Sequence, residues 1–433
     1  MISMMARICN PCHILKNKIM NSRERILSAI SHRQPDRVPV DLGATPSSGI
    51  SAVAYHNLIR LLGLTHLTNR VYDVIQQVNQ PPMELLEHFH VDVLDAGRFF
   101  NTPDNYWHEL ELIRGVPAFY PKWFNPVKQA DGSWLAPGKT GEFIGKMPLG
   151  ATFFDQLIFP YIDGYPSDYK DIDKQMSRVI WGGFGFTPFD HLDEADFWNN
   201  LRQTIIREKS KTDKALLIGI GCNLFEWGTF LRRIDNFLMD LYLDPVNVHR
   251  LLDRLMENHL AFLEKICTSI GDVVDIIKFG DDLGTNAGPF MPLETYEEFF
   301  GPRHKILCDY VKTHSTAHTM LHVCGGIYEL IPGLINAGFE ILNPVQINAV
   351  NMAPEKLKME FGNDVTFWGG GCNTQSVLNH GTPEQIRSHV LHNLEIFSKD
   401  GGYVFNTIHN ILPDVSPENI VALFDAVEEF NAK

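Results

Sequence analysis

His322 and Cys324 stand two apart in Leu321-His-Val-Cys-Gly-Gly326, a short apolar run stopped by two glycines. In a strand, side chains at i and i+2 share a face, so an imidazole and a thiol project together. A neutral imidazole and a thiolate make half of a zinc site. The paired glycines permit a sharp turn directly after the strand, which puts both groups at a rim. For the pair alone, a buried histidine beside a small buried cysteine is the competing assignment. Two later segments weigh against it. Thr366-Phe-Trp-Gly-Gly-Gly-Cys372 and Gly402-Tyr-Val-Phe-Asn-Thr-Ile-His409 each run apolar toward a zinc-competent side chain. If the three strands lie side by side, the metal site is nearly specified.

A repeating strand–helix rhythm would align them. Apolar runs read as strands at 37–43, 91–95, 215–221 and 275–280, then the His322 run, then 340–345, 365–370 and 402–408. Helical periodicity fills 22–32, 53–63, 69–88, 225–241, 246–270, 293–314, 327–337, 353–361 and 383–398, and Pro417 opens a last helix to about Phe430. Eight strands with helical returns predict a (β/α)8 TIM barrel, in which all C-terminal strand ends meet at one mouth. The rhythm breaks over 101–190, rich in Gly, Pro and aromatics, with alternating runs around Trp134, Phe143 and Phe153. That stretch reads as an inserted β-hairpin region, a lid within an insertion at about 101–210 of a single barrel domain spanning 20–433. An open doubly wound sheet would need a Gly-rich phosphate loop after the first strand, and none is present.

The remaining candidates gather at the same mouth. Asp281 and Asp282 end the fourth strand, where they would orient His322 or bind a polar substrate head. Helix capping is the competing role for both. Glu226, after the third strand, would close a zinc ion's fourth position, although a first-turn glutamate is also favoured by the helix dipole. These three are the catalytic candidates, and the loop amides Asn343, Gln375 and Asn286 are the substrate-binding ones. Cys222, Cys267 and Cys308 have no partner at a useful spacing and read as core residues.

The whole chain narrows the classes. Its 433 residues are 44% hydrophobic and 21% charged, ordinary for a globular enzyme. A net charge of −15 disfavours nucleic acid and anionic membrane as partners. No apolar run reaches membrane-spanning length, and seven cysteines in so long a chain suit a reducing cytoplasm. Residues 1–19 read as a disordered extension. Within them Cys9-Asn-Pro-Cys12-His13 matches a haem-attachment pattern but lacks the apolar export segment that chemistry requires. Asn21-Ser-Arg-Glu24 reads as a helix cap with its reciprocal glutamate.

Several stretches carry a family resemblance. Phe237-Leu-Met-Asp-Leu-Tyr-Leu-Asp-Pro245, Asp281-Asp-Leu-Gly-Thr285, Leu342-Asn-Pro-Val-Gln346, Phe367-Trp-Gly-Gly370 and Pro413-Asp-Val-Ser-Pro-Glu-Asn419 resemble the uroporphyrinogen decarboxylase superfamily. The likeness runs from about Arg23 to Phe430. It implies one of two activities: cofactor-free decarboxylation of uroporphyrinogen, or methyl transfer between corrinoids and thiols or other carriers, often with zinc. The decarboxylase branch implies an arginine-rich first loop, but Asp41-Leu-Gly-Ala-Thr-Pro-Ser-Ser48 has no arginine. It also implies an aspartate after the second strand, where Ala96-Gly-Arg-Phe-Phe100 offers none. The methyltransferase branch, as in the methylcobalamin:coenzyme M enzymes, carries His-x-Cys at the fifth strand, matching His322 and Cys324. Its third ligand is a cysteine at the eighth strand, where this chain has His409. Cys372 is therefore the expected third ligand, retaining a sulfur-rich set, with His409 a fourth ligand or a hydrogen-bonding neighbour. The expected protein is a cytoplasmic, zinc-dependent methyltransferase acting with a corrinoid, free or on a partner protein, because no cobalamin-binding motif lies in the chain. A decarboxylase-type lyase and a non-catalytic corrinoid-binding module are the alternatives.

Overall fold

A computed structural model describes residues 19–433, so the Cys9–Cys12–His13 motif and all of the expected extension but Ile19 lie outside the described residues. Seven parallel strands form one curled sheet. From edge to edge they are Tyr403–Val404, Thr366–Trp368, Ile341–Asn343, His318–His322, Ile276–Gly280, Ala215–Gly221 and Val93–Asp95. The extended segment 38–41 joins the two edges. On one side Asp41 N–H donates to the Phe405 carbonyl (2.9 Å) and Phe405 N–H to the Pro39 carbonyl (2.8 Å); on the other, Asp92 N–H donates to Val40 (2.8 Å). The cylinder closes, and the chain is a (β/α)8 barrel whose eight strands fall in the eight predicted places.

Alternation along the strands sorts side chains between two cores. Ala215, Ile276, Met320, Ile341, Trp368 and Val404 point inward and fill the barrel interior. The intervening residues, such as Leu216, Ile277, Leu321 and Phe367, pack outward against the helices. Ile26, Ala29 and Ile30 of the first helix, Ser22–Ile30, join the interior cluster. This helix lies across the N-terminal end of the barrel, where Arg23 Nε donates to Asp275 Oδ1 at 2.7 Å. Its start is the predicted capping box: Asn21 Oδ1 accepts from Glu24 N–H at 2.8 Å, and Glu24 Oε2 accepts from Asn21 N–H at 3.1 Å.

The expected helix over 69–88 is replaced by strands Val71–Asp73 and Val78–Asn79 followed by a short helix, Met83–His88. Asp73 Oδ1 accepts from the backbone of Ile75 (2.9 Å) and Gln76 (3.1 Å), closing a turn. Pro81 and Pro82 then bar a continuous helix. The helix expected over 225–241 breaks at Arg233, whose φ of 69° is outside the helical region, leaving Phe225–Arg232 and Ile234–Leu243. Between the second and third barrel strands lie the expected hairpins: Trp107–Glu111 with Pro117–Pro121, and a four-stranded antiparallel sheet spanning Val127–Gln156. Among the described residues no helix is long and apolar enough to cross a membrane.

Candidate metal centre and cavity

One pleat beyond the apolar interior, the inward positions turn polar. Residues two further along their strands from Val93, Ile276, Met320 and Ile341 are Asp95, Lys278, His322 and Asn343. His322 Nε2 lies 3.4 Å from Cys324 Sγ, so the shared face expected from their spacing holds. Their ligand atoms and one of His409 all lie within 4.8 Å of one another. The His322 and His409 rings sit 5.8 Å apart, centroid to centroid. The tight turn after Cys324 requires glycine: Gly325 has φ +98°, and a Cβ there would meet the Gly284 backbone at 2.2 Å.

Around the trio, hydrogen bonds fix which atoms face it. His322 Nδ1 lies 2.9 Å from Asn343 Oδ1. The Asn343 amide is itself oriented by donation from Nδ2 to the Trp368 carbonyl at 3.0 Å. His322 therefore donates through Nδ1–H and leaves the Nε2 lone pair toward Cys324, the arrangement a metal-binding imidazole needs. Asp282 Oδ1 accepts from Cys324 N–H at 2.9 Å and stands 3.6 Å from His322 Nε2.

Burial sets the charge states. Desolvation, reinforced by the nearby Lys278 ammonium, pushes the His322 imidazole down to about 4, and burial also lowers His409. Both are neutral and available as ligands. Burial and the Asp282 carboxylate push the Cys324 thiol far up, a cost that a divalent cation beside the sulfur would remove. Two neutral imidazole nitrogens, one thiol and a flanking carboxylate fit a zinc-type ion with an open fourth position.

The third residue that the structure brings beside His322 and Cys324 is not the expected Cys372 but His409. Cys372 is fully buried, in the helix-facing core beside Tyr403, and is not part of the trio. The glycine run before it is responsible. Gly369 and Gly370 take φ of +124° and +69°, and a Cβ on Gly369 would strike the Pro344 carbonyl at 2.1 Å. The backbone leaves the strand direction there, so strand alternation no longer tells where the side chain points. His409 arrives from beyond the eighth strand to complete the set.

The other candidates divide. Asp282 and Glu226 line the cavity over the trio. Asp281 does not: it is fully buried, and its carboxylate accepts from the backbone of Leu224 (3.2 Å), Phe225 (3.0 Å) and Glu226 (2.8 Å). It holds the N-terminus of helix Phe225–Arg232, backed by His304 Nε2 at 3.2 Å, and so the capping role prevails. Asn343 is buried and positions His322 rather than lining the cavity. Asn286 and Gln375 are exposed and bond to each other at 3.1 Å, clasping two loops outside the cavity.

The cavity measures about 730 Å3. The inserted region builds much of its wall with rings such as Phe153, Trp181 and Phe184, and helix Phe225–Arg232 adds Trp227 and Phe230. Among the described residues its acidic groups are Asp73, Asp95, Glu226 and Asp282, and no arginine lines it. Lys278, not among the expected site residues, is the one lysine in that lining; burial lowers its basicity, and Glu226, Asp282, Cys324 and Asp95 oppose that shift. A lysine at an inward position of an otherwise apolar strand was the available signal. Asp95 was also missed: an aspartate does stand at the end of the second strand, one residue before the stretch judged to lack it. Burial pushes its carboxyl up to about 7, and burial raises Glu226 well above the usual carboxylate range, with Asp282 and Asp281 adding to the shift.

Comparisons with known proteins agree with this fold. A methyltransferase from Methanosarcina mazei superposes with a TM-score of 0.56 at 16% identity, covering 95% of this chain and 99% of that one, a likeness of fold. A uroporphyrinogen decarboxylase from Pseudoalteromonas translucida is 29% identical over 195 residues, 44% of this chain and 51% of that protein. One from Chlorobaculum tepidum is 26% identical over 290 residues, 64% of this chain and 69% of that protein. The chain thus spans between half and about two thirds of the length of these curated relatives. The model of the uroporphyrinogen decarboxylase family matches residues 204–430, more than half of the sequence. With six of the eight barrel strands and all three residues of the trio inside that match, the chain belongs to the uroporphyrinogen decarboxylase family.

Proposed function

We propose that this protein is a zinc-dependent methyltransferase that moves a methyl group between a corrinoid and a small-molecule donor or acceptor, such as a thiol or a methoxylated or methylated compound. One observation carries this reading: His322, Cys324 and His409 converge within 4.8 Å beside a cavity that, among the described residues, has no arginine and four acidic side chains in its lining. A substrate with eight carboxylates would meet one lysine there, and its charge would be left largely unpaired. The names of the curated relatives favour cofactor-free uroporphyrinogen decarboxylation, and Asp95 supplies the acid such a reading wants, but the missing cations oppose it.

When bound, the zinc ion would supply Lewis acidity at one open position, where a thiol loses its proton or a leaving heteroatom is polarised. The chain does the rest. Asn343 holds His322 in one tautomer. Asp282 anchors the backbone of Cys324, and its carboxylate stands at the cavity wall to take a proton from an entering thiol. The aromatic wall excludes water. In the thiol direction the sulfur lone pair forms the carbon–sulfur bond as the carbon–cobalt bond breaks, and cobalt keeps both electrons, passing from Co(III) to Co(I). The corrinoid is a second substrate, free or carried by another protein.

The test is spectroscopic. Zinc-loaded protein should convert methylcobalamin to Co(I) with a thiol from a panel, or methylate Co(I) from methoxylated, methylamine or methylthiol compounds. Carbon dioxide release from uroporphyrinogen, with no corrinoid change in either panel, would replace this proposal with the decarboxylase.

A further inference from the structure

The cavity's chemistry narrows the small reactant. Trp181, Trp227 and Phe230 form a corner of rings: Trp181 stacks on Phe230 with centroids 5.7 Å apart, and Trp227 meets Phe230 edge-on at 5.8 Å. Among the described residues no lysine or arginine lies over these three rings, whereas Arg232, Arg250 and others cover aromatic faces elsewhere. Glu226 precedes Trp227 on the same helix and lines the same cavity. Asp95, at the end of the second barrel strand, also lines the cavity, and its Oδ1 accepts from Gly97 N–H at 2.9 Å. Among the described residues no hydrogen bond or ion pair is formed by its other oxygen. Ring faces are attractive to cations because of their quadrupole, and the buried carboxyl groups of Glu226 and Asp95 would ionise against a cation bound beside them. Lys278 is the opposing charge within the cavity, and Arg98 opposes Asp95 from outside its lining. Lys278 stands at an inward strand position, as Asp95 does, with its Nζ outside ion-pairing distance of any carboxylate among the described residues.

We infer that the small reactant is a methylated ammonium, held by the Trp181–Trp227–Phe230 corner and by the carboxylates of Glu226 and Asp95. The assignment rests on the methyl-transfer reading of the site and names the substrate class within it. A neutral methyl ether would gain the apolar contacts but would bring no positive charge to the acidic wall, where Glu226 and Asp95 have only neutral amides as hydrogen-bond donors. A carboxylate or sulfonate would meet four acidic side chains.

Binding tests this without requiring turnover. The full chain, with zinc and after chelation, is titrated calorimetrically with choline and with 3,3-dimethylbutan-1-ol, its neutral isostere in which carbon replaces nitrogen. The cation should bind roughly tenfold or more tightly than the isostere. Trp181→Leu and Glu226→Gln should each cut that preference roughly threefold or more. Trp181 is partly exposed at the rim, so its replacement leaves the core intact. Equal affinities would overturn the inference, as would failure of choline to bind at millimolar concentration, or a preference unchanged in both variants. A clear ammonium preference in a protein without corrinoid activity would retain the inference and remove methyl transfer. Corrinoid methylation from neutral methyl ethers alone would do the reverse.

Discussion

Cys324 offers the sharpest test at the residue scale. The protein should bind about one zinc per chain, and Cys324→Ala should abolish that binding as read by elemental analysis. The placement of His409 and Cys372 sets a ranking. His409→Ala should lower zinc affinity at least as much as the roughly 10–100-fold typical of losing an outer-shell partner, measured by chelator competition. Cys372→Ser should leave affinity unchanged and cost about 1–3 kcal/mol of stability, because it buries a hydroxyl in the helix-facing core. The opposite ranking would return Cys372 to the metal. His322 and Cys324 were legible in the sequence because strand alternation is rigid. The third member of the trio was not, because glycines at +124° and +69° precede Cys372 and His409 lies five residues past its strand.

Asp95 makes a second residue-scale prediction. Its folded-state carboxyl is raised to about 7 from an unfolded 3.8, so between those values the folded protein holds the extra proton. Stability therefore falls as pH rises through that window. Asp95→Asn cannot ionise, so relative to wild type it should gain on the order of 1 kcal/mol at pH 8 and little at pH 4 in denaturant titrations. A gain independent of pH would mean that Asp95 is ordinary in its titration.

At the scale of elements, the decisive joint is the N-terminus of helix Phe225–Arg232. Three backbone N–H groups there have one acceptor, Asp281, which reaches them from the end of the neighbouring strand. Asp281→Ala leaves these buried donors and His304 without their partner, and should cost about 3 kcal/mol or more. Because Glu226 and Trp227 ride on that first turn, the variant should also lose choline discrimination even where it stays folded. The sequence showed a polar strand end followed by a helix, which is why capping competed with catalysis for Asp281. It did not show that the carboxylate would cap the preceding helix rather than the following one, since parallel strand pairing brings the two together across 55 residues or more. The 69–88 stretch failed for a different reason. Its valines have helical and β partners at similar spacing, and the side-chain turn at Asp73 decides between them.

For the molecule as a whole, the barrel was legible because each strand is buried on both faces and so reads as a near-continuous apolar run. The inserted region was legible only as an interruption: its rings were visible, but which of them face the cavity depends on how the antiparallel sheet twists over the mouth.

The helix Ser22–Ile30 closes the opposite end by packing Ile26, Ala29 and Ile30 into the barrel interior. The cylinder is a vessel with one door. In the proposed methyl transfer two reactants of unequal size share it, and the larger, seated at the mouth, would block the passage of the smaller. Steady-state kinetics should then follow a compulsory order, small reactant first and corrinoid second. Excess corrinoid should inhibit by occupying the door of the empty enzyme, and raising the small reactant should relieve that inhibition competitively. On the proposed reaction the methylated or demethylated product leaves only after the corrinoid, so in product-inhibition experiments the small product should compete with the small reactant.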